Sequence, residues 1–286
     1  MARLRLRGRR LLLWALGLVG IVAVWLATRD DGSSAQTASY PYPENAAGAP
    51  DCAAGADDRP GTVLTAGGIG VTVRTPRNYE PRHRHSLLVV YAPASFDRFL
   101  SERLMHLTFA ATRAGFILAY ADHATMVLPA IEDLGQVPDV VARHWCIDPA
   151  RVFLTGHSDG GTVTTALAVA STHSHQIAGI APSAAGFTAA DLAKYACPAP
   201  LPVLVMHGAA DRHFPGFGRQ AAEWWAHCNR CDMIPPERRA DGCVSWRGCA
   251  PGARTMYCEG SGGHGPWPDR NSTLIEFFAD AVARPL

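Results

Sequence analysis

Five short, unbroken apolar runs recur along the chain, separated by longer stretches with helical spacing, and this alternation narrows the fold more than any other feature. The runs cover residues 86–91, 116–120, 151–155, 177–181 and 203–207. A strand exposed on one face alternates polar and apolar residues, whereas a continuous apolar run this short fits a strand buried on both faces. Strands of that kind, interleaved with helices, predict a mostly parallel sheet with helices on both sides. Helical spacing is read over 99–114, over 138–145, directly after Ser158, over 219–228 and over 273–284. Pro138 stands at a first-turn position, where its missing N–H costs nothing, and Thr273 with Glu276 has capping-box spacing. The segment from 184 to 201 is too short for a large lid domain.

One junction in this pattern carries chemistry. Gly156-His157-Ser158-Asp159-Gly160-Gly161 follows the run 151–155 directly and leads into an apolar helical segment. A serine on such a strand-to-helix turn is thrust out at the sheet edge, and the flanking residues must be small to avoid collision. Gly156 and Gly160 meet that demand, so Ser158 is the candidate nucleophile. A serine hydroxyl needs a base within hydrogen-bond reach, and the base needs a carboxylate to orient it. In a parallel sheet of this kind both follow the serine in the chain, on loops after later strands.

Asp211 is the candidate acid, because the run 203–207 leads straight into His207-Gly208-Ala209-Ala210-Asp211. Asp191, Asp232 and Asp241 follow no convincing buried strand. Of twelve histidines only His213, His227 and His264 lie beyond Asp211. His213 is too close to Asp211 in sequence, and His227 falls inside the helical segment 219–228. His264, in the loop Gly260-Ser261-Gly262-Gly263-His264-Gly265-Pro266-Trp267-Pro268, is therefore the candidate base. For the oxyanion the expected donors are the backbone N–H of Asp159 and that of Ala94, since Pro93 has none; Ser95 is the substitute. His157 and the Asp159 side chain read as mainly structural.

Together these three motifs and the run Cys146-Ile147-Asp148-Pro149-Ala150-Arg151-Val152 resemble the esterase family of polyhydroxybutyrate depolymerases and feruloyl esterases, over about residues 61–286. The resemblance implies an α/β-hydrolase fold and carboxylic-ester hydrolysis through an acyl-enzyme, with no metal or organic cofactor. The chain departs from that family at Ala92-Pro93, where His-Gly is usual, and at Pro266, an extra residue before Trp267-Pro268. The expected partner is an ester substrate, polymeric ones included. Trp224, Trp225, Trp246 and Trp267 are candidates for lining a substrate cleft; Trp267 is the favoured one, and at least one of the adjacent pair on the helix should face the core.

Two alternatives share the motifs. A peptidase of the prolyl-oligopeptidase kind has the same elbow and triad order but usually an additional gating domain, for which there is no room here. A non-catalytic surface binding module would keep the fold and lose a triad member.

Outside this region the chain changes character. Arg3, Arg5, Arg7, Arg9 and Arg10 precede an apolar run at 11–27, so residues 1–30 are expected to be a signal peptide or a membrane anchor whose arginines stay cytoplasmic. Residues 31–60, rich in Ser, Ala, Gly, Pro and Asp, are expected to be a flexible linker, with Cys52 pinning its far end. Eight cysteines suit an oxidising compartment, where they pair. Cys228 and Cys231 could also be half of a zinc site or a redox pair, but disulfides are favoured; which cysteines pair is not readable. A formal net charge of +1 gives no reason to expect nucleic acid. The expected location is secreted, or membrane-anchored facing outward.

Overall fold

A computed structural model describes Cys52 and residues 59–170, 177–234 and 238–283. The expected leader and most of the expected linker lie outside these residues. Among the described residues no helix is long and apolar enough to cross a membrane.

Nine strands form one sheet: β1 (Gly61–Leu64), β2 (Gly70–Arg74), β3 (His85–Tyr91), β4 (Ile117–Ala121), β5 (Ile147–His157), β6 (Gly179–Ser183), β7 (Pro202–Gly208), β8 (Cys243–Ser245) and β9 (Arg254–Gly260). Their order is β1-β2-β4-β3-β5-β6-β7-β9-β8. The six central strands from β4 to β9 are parallel to one another, and β2 and β8 pair antiparallel to their inner neighbours. The five expected strands are β3 to β7, each within a few residues of its apolar run.

Eight helices accompany them in the described residues: α1 (Arg98–Met105), α2 (Leu107–Arg113), α3 (Leu128–Gly135), α4 (Val137–Ala142), α5 (Asp159–Ala170), α6 (Ala189–Leu192), α7 (Phe217–Cys228) and α8 (Asn271–Ala283). Alternate residues of the buried strands point to opposite faces, which divides the core in two. Leu87, Val89 and Tyr91 of β3 pack with Val141 of α4, Leu167 of α5 and Trp225 of α7. Leu88 and Val90 pack on the other side with Met105, Leu107 and Ala111 of α1 and α2 and with Phe277 and Phe278 of α8. A residue placed one step out of register would therefore exchange one helical layer for the other.

Three sequence expectations are corrected. The single helix over 99–114 is two, because His106 takes a left-handed conformation (φ 50°) that ends α1 and begins α2. The last helix starts at Asn271, so Thr273 lies inside it and is not its cap. Trp246 belongs to the core and does not line a cleft, whereas Trp225 faces the core as expected of one of the adjacent pair.

All eight cysteines are paired: Cys52–Cys146, Cys197–Cys228, Cys231–Cys249 and Cys243–Cys258. Cys228 and Cys231 thus bond to different partners rather than to each other or to zinc. Cys52 does pin the chain ahead of the sheet, as expected.

Candidate active site

Ser158 stands between β5 and α5 with φ 54°, the left-handed region that a side chain enters only where its surroundings hold it there. Here the surroundings are close. A Cβ at Gly160 would fall 2.0 Å from the Tyr91 carbonyl oxygen, and one at Gly156 would fall 2.4 Å from the Gly160 backbone. The turn can therefore be this sharp only with glycine at both positions. The Ser158 N–H donates to the Ser183 carbonyl at 3.0 Å, tying the elbow to the end of β6.

Asp211 and His264 meet Ser158 from the loops after β7 and β9. Ser158 Oγ lies 2.8 Å from His264 Nε2, and His264 Nδ1 lies 2.8 Å from Asp211 Oδ2. Facing a carboxylate, Nδ1 carries the proton, which leaves Nε2 to accept from the serine hydroxyl. The other Asp211 oxygen accepts the backbone N–H groups of His213 (2.8 Å) and Phe214 (2.9 Å). Burial alone would raise this carboxyl, but the N–H of Phe214, the His264 ring and the N–H of His213 together hold it below the usual carboxylate value. It stays ionised and fixed in direction. His207 supports it from behind: its Nε2–H donates to the Phe214 carbonyl at 2.9 Å and lies 3.7 Å from Asp211 Oδ2.

The expected oxyanion loop leaves β3 beside the elbow, since Gly160 packs on the Tyr91 and Ala92 carbonyls. Ala94 and Ser95 occupy the centre of a tight turn closed by Phe96 N–H to Pro93 C=O, with Ser95 at φ 65°. Two groups missed in the sequence brace this side. Arg98 donates its backbone N–H and its guanidinium to the two oxygens of Asp122 (2.8 and 2.6 Å). His123 donates its N–H to the Phe96 carbonyl and sets Nε2 3.0 Å from Asp159 Oδ2. Neither has a motif of its own; the one signal the chain offers is that Asp122 and His123 directly follow β4.

Trp267 is half-buried, gives its indole N–H to Asn271 Oδ1 at 2.8 Å and sets its edge toward the His157 ring. It lines a cavity of about 450 Å³ with His157, Ser183 and the loop 260–263; neither Ser158 nor His264 lines it. Among the described residues no cluster of three or more His, Cys, Asp or Glu side chains is placed to hold a metal ion.

The fold recurs in solved structures. An acetyl xylan esterase from Aspergillus awamori superposes with a TM-score of 0.58 at 15% identity, over 77% of this chain and 98% of that one. A fluorophosphonate-binding serine hydrolase of Staphylococcus aureus gives 0.54 at 14% identity, over 77% and 97%. A truncated carbohydrate esterase from gut microbiota gives 0.54 at 13% identity, over 82% and 99%. The chain has the α/β-hydrolase fold. No family model matches it, and no curated protein matches it in sequence.

Proposed function

We propose that the chain hydrolyses carboxylic esters through an acyl-enzyme on Ser158. The observation that carries this reading is the pair of 2.8 Å contacts joining Ser158, His264 and Asp211, three side chains from three separate loops. Ser158 Oγ attacks the ester carbonyl carbon while its proton passes to His264 Nε2. The carbonyl π electrons move to oxygen, toward the N–H groups of Asp159 and Ala94. Collapse breaks the bond to the alcohol, which leaves with the proton from His264. Water, deprotonated by the same imidazole, then releases the acid. Asp211 holds the ring and stabilises its charge without taking the proton.

The proposed substrates are esters on bulky or polymeric carriers, of the polyhydroxybutyrate or hydroxycinnamoyl kind, met outside the cytoplasm. Between β6 and β7 the chain carries only the four-residue α6, which leaves the sheet edge open on that side. Phe99 and Leu100, after β3, and Met126, Val127 and Leu128, after β4, are exposed on segments at the same edge as Ser158. Solved structures of like fold described as an acetyl xylan esterase and a carbohydrate esterase support an ester substrate. Trp267 is the proposed substrate contact at the cavity rim. Four disulfides using all eight cysteines support an oxidising location.

A fluorophosphonate probe tests the chemistry. It should label the Ser158 peptide of the full chain, and Ser158→Ala should abolish labelling and lower ester turnover on the order of 10⁶-fold. A folded wild type that neither labels nor turns over nitrophenyl esters overturns the reading. Polyhydroxybutyrate and methyl ferulate, run beside nitrophenyl esters of graded length, test the substrate class; turnover confined to short soluble esters overturns that part.

A further inference from the structure

We infer that His157, the residue before the nucleophile, is the positioning residue that fixes the catalytic histidine, an inference that rests on the reading of Ser158 and His264 given above. His264 sits in a loop with glycine at 260, 262, 263 and 265, a stretch with unusually many backbone conformations to choose from. Two backbone bonds hold the loop at its root, from Ala209 N–H to the Gly260 carbonyl and from Ala210 N–H to the Gly262 carbonyl. Beyond them, the carbonyl of His264 itself lies 2.7 Å from His157 Nε2. A carbonyl only accepts, so Nε2 carries the proton. Burial holds the His157 pKa down at about 4, so the ring is neutral at ordinary pH and Nδ1 must accept. Its partner is the Ser183 hydroxyl at 3.1 Å.

These contacts close a ring. Ser158 N–H binds the Ser183 carbonyl, the Ser183 hydroxyl binds His157 Nδ1, His157 Nε2–H binds the His264 carbonyl, and His264 Nε2 returns to Ser158 Oγ. The backbone of the base is thereby measured from the backbone of the nucleophile through one rigid, buried imidazole. Trp267 packs its edge on that imidazole and is itself held by Asn271, whose amide reaches the Met105 carbonyl. The two ring nitrogens of His157 are engaged by the His264 carbonyl and the Ser183 hydroxyl, so it acts on the reaction through His264.

The experiment compares the full wild-type chain with His157→Leu, which removes both ring nitrogens, and His157→Gln, which restores one donor and one acceptor. A misplacement near 1 Å costs on the order of 10²-fold in rate, so His157→Leu should lose about that much kcat on a nitrophenyl ester while KM moves less than about threefold. His157→Gln should recover most of it. The second readout does not depend on turnover: the downfield proton resonance of His264 Nδ1–H bound to Asp211 should be sharp in the wild type, lost in His157→Leu and restored in His157→Gln. Should His157→Leu fail to fold, Ser183→Ala takes its place, with an expected kcat loss of about 3- to 10-fold and a broadened resonance. A folded His157→Leu, or Ser183→Ala in its stead, with wild-type kcat and an unchanged resonance overturns the inference. So does a loss that glutamine does not restore. A wild type with the sharp resonance but no turnover would instead count against the esterase reading alone.

Discussion

On the acid–base side of Ser158, the loops bearing Asp211 and His264 emerge from β7 and β9, and three of the four disulfides bind the surrounding strands and α7. On the oxyanion side, the loop bearing Ala94 has no covalent brace. It is held by Arg98 and Asp122, about a quarter exposed, and by the part-buried pair His123 and Asp159. The first wall is stapled, and its carboxylate is buried and fixed by backbone N–H groups. The second is an electrostatic network within reach of water. The two halves of the proposed reaction thus depend on different physics: proton transfer on a base oriented by a buried carboxylate, and charge stabilisation on a brace that solvent and ions can weaken.

The largest expected effect lies on the buried wall. Asp211→Asn keeps the shape but turns a carboxylate that only accepts into an amide that also donates, so His264 loses the tautomer it needs. Turnover should fall on the order of 10⁴-fold with the fold intact. A loss below about tenfold would show that Asp211 does not orient the base, and the contrast between the walls would disappear.

Acid should also strike this wall first. An unfolded histidine titrates near 6.5, whereas buried His157 does so at about 4, so between these values the unfolded chain binds the extra proton. Stability should therefore decline as pH falls from about 6.5 to about 4, by about 3 kcal/mol from this group, and lose nothing further through it below. His207 and His85, both lowered by burial, act in the same direction. Asp211, held below the usual carboxylate range, adds its own loss only as pH drops through its still lower value. Denaturant melts of wild type and His157→Gln across this range measure the difference; an equal slope in both would refute the assignment.

The staples themselves come next. Cys243 and Cys258 face each other across β8 and β9, 15 residues apart, and their joint replacement by serine should cost about 3 kcal/mol by the chain-entropy argument. Because Cys258 lies two residues before the loop of His264, ester turnover measured below the melting temperature should fall with it. Stability lost without any change in turnover would mean that the staple serves the fold alone.

How much of this could be read in the chain follows from burial. β3 to β7 are covered on both faces and announced themselves as apolar runs. β1 alternates half-buried and exposed residues over four positions, β8 has three residues, and β9 begins with arginine and ends with glutamate and glycine, so none gave a run. The helix α3 is short, and no cap residue marks its start. Ser158 and Asp211 were legible because each follows an apolar run, and His264 because it alone of the three histidines beyond Asp211 is neither too near that carboxylate in sequence nor inside a helical segment. The role of His157 was not, since its partner lies 107 residues away and only the folded backbone brings the two together. His123 and Arg98 were silent for the same reason: a side-chain contact between segments distant in the chain leaves no spacing to read.

The smallest effect should come from the exposed wall, and it is the one that separates the two kinds of brace. Arg98→Met removes the guanidinium from Asp122 and from Thr72 Oγ1 while keeping most of the side-chain volume. Loss of an entire oxyanion donor costs 10²–10³-fold, so loosening the loop that carries the proposed donor Ala94 should cost less, about tenfold in kcat with little change in KM. Salt should imitate the substitution weakly. Raising ionic strength to about 1 M shortens the screening length to roughly 3 Å, which weakens a partly exposed pair and leaves the buried carboxylate of Asp211 almost untouched. Wild-type kcat should therefore fall by up to about twofold with salt, and Arg98→Met, having no pair left to screen, should respond less. If the variant and the wild type share one salt dependence, the Arg98–Asp122 pair does not set the oxyanion loop, and the brace must be sought in His123 and Asp159 instead.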